Sequence, residues 1–264
     1  MKALAYLFTL AVAASCKFVV DVPPSSTTSG QPPTQPPVSS SHDSTPPTPP
    51  PSGGSVALDF SLGSIVTVPL SPELLPQAFT VELWLKPRSA AGGYRQFLVG
   101  AWGDSGRASL ALTLERGHLS FLAHDAIHPT SFFVGPLLRD TVWQHVAASF
   151  SGGTATLFVN GAAAGSAAVV TPATCCPARF TLGRETPDDV DWGGWQYFGA
   201  LRDVRVWSTA RSAADIAASM HTAVPSDAPG LVSYWPLNEG SGSLARDATG
   251  KHNGAISGGV WTTP

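Results

Sequence analysis

The densest chemistry in the 264-residue chain lies in one segment, Arg184-Glu185-Thr186-Pro187-Asp188-Asp189-Val190-Asp191-Trp192-Gly193-Gly194-Trp195. Glu185, Asp188, Asp189 and Asp191 place four of the 18 acidic residues within seven positions. Hard Ca2+ takes roughly six to eight oxygens, gathered from carboxylates and carbonyls on loops. The segment is therefore a candidate calcium site, and the alternative is a solvated acidic loop held by Arg184 or Arg202. Trp192, Trp195 and Tyr197 lie in or directly after it. Sugars stack apolar C–H faces on aromatic rings, while their hydroxyls ligate calcium or bond carboxylates. The same stretch is thus a candidate carbohydrate surface, and the alternative is rings that cover the edge of a sheet. Trp102, in a second loop, is a further candidate ligand contact.

Other constellations are weaker. The chain has no G-x-S-x-G elbow and no H-E-x-x-H pair. His124 and His128 flank Asp125 four apart, a zinc spacing on a helix, but the local pattern is strand end and loop. Ala245-Arg246-Asp247-Ala248-Thr249-Gly250-Lys251-His252 mimics a phosphate loop without its first Gly or its final Ser/Thr. The 15 basic and 18 acidic residues give a net charge of −3, with no basic stripe, which argues against a nucleic-acid partner.

The termini of the chain differ in composition. Met1-Lys2 precedes an apolar run from Ala3 to Ser15, too short for a bilayer span of roughly 20 residues and suited to a signal peptide over 1–15. Ala13-Ala14-Ser15-Cys16 resembles a bacterial lipobox, which makes Cys16 a candidate lipidation site; plain secretion after Ala11-Val12-Ala13 is the alternative. Residues 16–55 are rich in Pro, Ser and Thr and hold 11 of the 24 prolines. Such a stretch buries too little apolar surface to offset ordering entropy and favours extended polyproline conformation. The expectation is a disordered tether between an anchored Cys16 and a domain at 56–264, outside the cytoplasm of a bacterium. In that compartment Cys175-Cys176 is a possible disulfide. Adjacent Cα atoms lie about 3.8 Å apart, below the roughly 4.4 Å minimum for unstrained bridges, so free thiols remain an equal alternative.

From Val56 onward short apolar runs alternate with period two between Gly, Pro, Asn and Asp. Phe79–Lys86 and Ala108–Leu114 are the clearest strands, and Asn160-Gly161 predicts a type I′ hairpin. Ser212-Ala213-Ala214-Asp215 predicts the capping box of one short helix. Many strands with one helix predict an all-β fold of two antiparallel sheets packed as a sandwich.

The runs VALDFSLGSIVTVP, AFTVELWLKP, VWQHVAASFSGGTATLFVNGAAAG, FTLGRE, FGALRDVRVWSTARSAADI and LVSYWPLNEGSG resemble laminin-G-like and pentraxin-like jelly rolls of the concanavalin A-like lectin/glucanase superfamily. The resemblance covers about 55–264 and implies a jelly-roll fold. It also implies that Asp104 and Glu185 ligate calcium, with Asp188 or Asp189 next, although Pro187 and missing amides depart from the pentraxin pattern. Other members bind a structural calcium through positions matched here by Asp59 and Asp203; the alternative is that each caps a turn. The glucanase branch carries E-x-D-x-x-E or E-x-D-x-E, a run this chain lacks. Glu82 and Glu115 are solitary strand acids, expected to face outward or form salt bridges. The sequence therefore predicts a non-catalytic, surface-displayed module that binds carbohydrate or a protein ligand, with possible calcium dependence. A structural or adhesion module without a small-ligand site is the alternative, and a degenerate glycoside hydrolase the remote one.

Overall fold

The computed structural model describes residues 56–61, 63–88, 95–103, 108–125, 130–173, 177–185 and 195–263, with backbone alone at 102, 103, 108, 177 and 178. Contacts divide the chain into units Met1–Ser44 and Thr45–Pro264, and every described residue lies in the second. Cys16, Asp104, Cys175, Cys176, Asp188, Asp189, Asp191 and Trp192 lie outside the described residues.

Sixteen strands and one α-helix are described. The first sheet contains β1 (Ala57–Asp59), β3 (Phe79–Pro87), β8 (Gln144–Ser151), β9 (Thr154–Val159), β10 (Ala162–Ala168), β12 (Gly199–Trp207), β13 (Leu231–Trp235) and β16 (Val260–Thr262). Its order is β10-β9-β8-β3-β12-β1-β16, with β13 also paired to β12. The second contains β2 (Ile65–Pro69), β4 (Arg95–Gly103), β5 (Ala108–Glu115), β6 (His118–Ala123), β7 (Ser131–Leu137), β11 (Pro177–Leu182), β14 (Leu244–Ala245) and β15 (Gly254–Ser257). Its order is β14-β15-β2-β11-β4-β5-β6-β7. All pairings are antiparallel, as the alternating runs predict.

Alternation sets the core. In β3, Phe79, Val81, Leu83 and Leu85 meet Leu110, Leu112, Leu114 and Phe121 of the opposing sheet in one hydrophobic cluster. Successive side chains point to opposite faces, so Thr80, Glu82 and Trp84 of β3 point away from that cluster. They are nevertheless buried. The helix α1 (Ala213–Ser219) covers this face, with Ile216 packed on Ala147 and Phe158. Its capping box forms as expected, Ser212 Oγ accepting from the Asp215 N–H and Asp215 accepting from the Ser212 N–H. The Asn160-Gly161 hairpin also forms, with φ of 51° and 78°. The Asn160 side chain accepts from the His145 N–H at 3.0 Å, a turn role rather than a ligand role.

The helix is held by a charge cluster. Glu82 Oε1 accepts from Trp207 Nε1 at 2.9 Å, Arg211 Nη1 at 3.1 Å and Arg205 Nη1 at 3.4 Å. The two arginines continue to the Asp215, Ser219 and Thr222 carbonyls around the end of the helix, where orphan carbonyls need donors. Glu82 is thus salt-bridged, and it is fully buried rather than outward in solvent.

Candidate functional site

On the second sheet's face opposite the core, a smaller hydrophobic patch of Phe97, Ala111 and Leu122 carries Phe132 and Trp195 above it. Arg95, at the start of β4, extends over this patch. Its guanidinium carbon lies 4.4 Å from the ring centroids of both Phe132 and Trp195. Its Nη2 donates to Glu115 Oε2 at 2.9 Å, and the two side chains are 22% and 12% exposed. Two aromatic rings thereby contact the guanidinium of a largely buried ion pair. Cation–π contact, which strengthens as the cation is desolvated, holds the guanidinium in place.

Trp195 reaches this position through the stem of the acidic segment. Glu185 N donates to the Trp195 carbonyl at 3.2 Å, and the Trp195 N–H donates to Glu185 Oε2 at 3.1 Å. An isolated bridge joins Arg184 to Gln196, and the Thr181 hydroxyl donates to the Glu185 carbonyl at 3.0 Å. The turn into the stem requires Gly183, at φ 78°, because a Cβ there would enter the Phe60 ring. Past the stem, the Phe198 N–H donates to Gln96 Oε1 at 2.9 Å, next to Arg95. Tyr197 is buried in the core, and burial, reinforced by Asp59, pushes its hydroxyl pKa well up. Its assignment to a sugar surface is therefore replaced by a packing role.

Strand register places Glu185 and Trp195 at the Arg95 end of β4. In the β4–β11 ladder Gly103 pairs with Pro177 and Val99 with Leu182. The chain therefore leaves β4 toward residue 104 at one end of the sheet, whereas Glu185 and Trp195 sit at the Arg95 end. Asp104 itself lies outside the described residues, as do Asp188, Asp189 and Asp191. Trp102 lies on the Gly103 side, apart from Trp195.

Asp59 and Asp203 are not brought together. Asp59 is opposite Ala200 across the β1–β12 ladder. Its Oδ2 pairs with Arg88 at 2.9 Å and its Oδ1 accepts from the Ser61 N–H at 2.8 Å, a turn-capping arrangement. Asp203 sits at a bulge with φ 52°, where the neighbour of β12 changes from β1 to β13. Arg202 Nε donates to its Oδ2 at 3.1 Å and the Tyr234 hydroxyl to its Oδ1 at 2.5 Å. Burial, then the Asp203 charge, pushes the Tyr234 hydroxyl pKa up. Among the described residues, no group of three or more His, Cys, Asp or Glu side chains is arranged to hold a metal ion.

Sequence reasoning reached Trp195 and noted Glu115 but missed Arg95 and Phe132 as partners. No motif marks them, because three separate strands and a loop stem supply the cluster. A cavity of about 360 Å³ opens elsewhere, lined by Leu75, Gln77, Leu110, Phe150 and Thr171 among others.

A laminin-G family model of the concanavalin A-like lectin/glucanases superfamily matches residues 62–217. Among solved structures, the chain is similar to a candidate carbohydrate binding protein from Bacteroides ovatus ATCC 8483, at 21% identity and a TM-score of 0.64. That match covers 80% of this chain and 60% of the neighbour, so the chain spans about three-fifths of the neighbour's length. A SAP-like pentraxin from Limulus polyphemus matches at 17% identity and a TM-score of 0.47, covering 61% of this chain and 80% of the pentraxin. Domains LG4-5 of the mouse laminin alpha1 chain match at 19% and 0.46, covering 60% of this chain and 43% of theirs. No curated protein sequence matches the chain.

Proposed function

Because the chain belongs to the laminin-G-like family of the concanavalin A-like lectin/glucanases superfamily, we propose that it is a non-catalytic module that binds carbohydrate through the Arg95–Glu115 platform. The observation that carries this reading is the ion pair whose guanidinium contacts both Phe132 and Trp195 on the face of the second sheet away from the core. Guanidinium donors and carboxylate acceptors match sugar hydroxyls of both polarities, and the rings beside them suit C–H faces. The described strand acids Glu82 and Glu115 are each paired with arginine, which supports binding over acid–base hydrolysis. Bacteroides ovatus supplies a fold neighbour whose name points to carbohydrate binding, which supports the same reading.

Affinity electrophoresis of the folded protein in polysaccharide gels tests it. A retarding glycan should be bound at least tenfold more weakly by Trp195→Ala and by Arg95→Ala, a loss of about 1.4 kcal/mol or more. Unchanged retardation in both variants, with folding verified by circular dichroism, refutes the platform. Running each gel with calcium and with chelator tests whether the acidic stretch from Glu185 to Asp191 lends calcium dependence.

We place the module outside the cytoplasm, on a membrane anchored through lipidated Cys16 and held off it by residues 17–55. The lipobox-like Ala13-Ala14-Ser15-Cys16 and the proline-rich stretch support this. Labelled palmitate should enter the wild-type protein in a bacterial host and be absent from Cys16→Ala; equal labelling of the two overturns the anchor.

Protein recognition is a second reading, favoured by Val134 and Leu137, which are 46% and 64% exposed on the edge strand β7.

A further inference from the structure

We infer that the platform selects uncharged, hydroxyl-rich glycans over anionic ones, an inference that rests on the carbohydrate reading above. The reason is the state of its cation. Arg95 is already bonded to Glu115 at 2.9 Å, and both side chains are largely withdrawn from water. Attraction at that separation strengthens as the surroundings become less water-like. The guanidinium charge is therefore taken up before any ligand arrives.

An ionised carboxylate accepts hydrogen bonds and donates none. Glu115 can receive sugar O–H groups while the outer guanidinium edge donates to sugar oxygens. A uronate or sulfate group brings only acceptors and a second negative charge. It must approach Arg95 beside Glu115, and it meets repulsion there for every attraction gained. Glu185 is buried on the stem with an oxygen turned to the Trp195 N–H. Phe132 and Trp195 each lie 4.4 Å from the guanidinium, contacts that Arg95 would give up in swinging away from Glu115 toward an anion.

The test uses the full chain and four probes in parallel gels: a neutral β-glucan, a neutral galactomannan, alginate and heparin. Wild-type protein should be retarded by a neutral probe and at least tenfold less by alginate and heparin. Its retardation should hold between low and near-physiological salt, because no net charge is exchanged. Glu115→Gln keeps shape while releasing the guanidinium charge. It should bind the neutral probe about tenfold more weakly and gain salt-sensitive binding to alginate or heparin. Stronger wild-type retardation by alginate or heparin overturns the inference, as does an unchanged anionic-to-neutral ratio in a folded Glu115→Gln protein. If that variant does not fold, the wild-type ratio and its salt dependence alone decide the matter. Retardation by none of the four probes sinks the carbohydrate reading itself. Anionic preference that is still lost in Trp195→Ala sinks only the selectivity.

Discussion

Glu82→Ala is expected to remove about 3–5 kcal/mol of folding stability, because it strips the partner from buried cations and leaves them uncompensated. For a domain of this size that lowers the melting temperature by roughly 6–20 °C. Glu82 lies at 0% exposure and receives the Trp207 indole and both Arg205 and Arg211 on one oxygen. The same guanidiniums hold three carbonyls around the end of α1 and the turn behind it. Losing the carboxylate loosens the sheet's cover as well as the ion pairs. Glu82→Gln keeps an acceptor for the indole and should cost less than the alanine variant. Thermal unfolding of the two variants beside wild type is the measurement. A melting temperature within a degree or two of wild type for Glu82→Ala shows that the cluster contributes nothing net.

Acidification should draw on the same region through His145. Burial first, then the charges of Arg205, His221 and Arg211, holds its pKa well below 6.5. Glu82 approaches its Nε2 at 3.8 Å from β3, and the Trp84 ring packs edge-on at 5.4 Å. The sign follows from proton counting. Below pH 6.5 the unfolded imidazole takes a proton that the folded one refuses, so stability is fully present above that pH and drains as pH falls toward the folded value. Each unit of that window removes about 1.4 kcal/mol. From pH 7.5 to pH 5, wild type should therefore lose more stability than His145→Gln, measured by denaturant unfolding at both pH values. Equal losses in the two proteins refute an imidazole kept neutral by burial.

Much of this architecture was written locally. Alternation in Phe79–Pro87 and Ala108–Glu115, turn chemistry at Asn160-Gly161 and the Ser212–Asp215 box each act over a few residues. Periodicity did not show that both faces of β3 are buried. A polar residue on the second face reads as solvent-facing until something covers it, and the cover here comes from α1, more than 120 positions later.

The candidate site was legible only in fragments for the same reason. Trp195 stood out by type and Glu115 was visible as a lone acid, but nothing local joins them to Arg95 and Phe132. Asp104 and Glu185 looked like partners because a family pattern pairs them. Of these the described residues contain only Glu185, which lies past β11 at the Arg95 end of the β4–β11 ladder.

By itself, then, the sequence determined an all-β sandwich with its hairpin, its capped helix and its acidic and aromatic segment, because those features rest on side-chain period and turn geometry. The tertiary structure alone decided which face Glu82 occupies, that Asp59 and Asp203 serve separate partners, and that Arg95, Glu115, Phe132 and Trp195 form one platform. Those outcomes depend on ladder register and on the packing of segments distant in the chain, which no local spacing encodes.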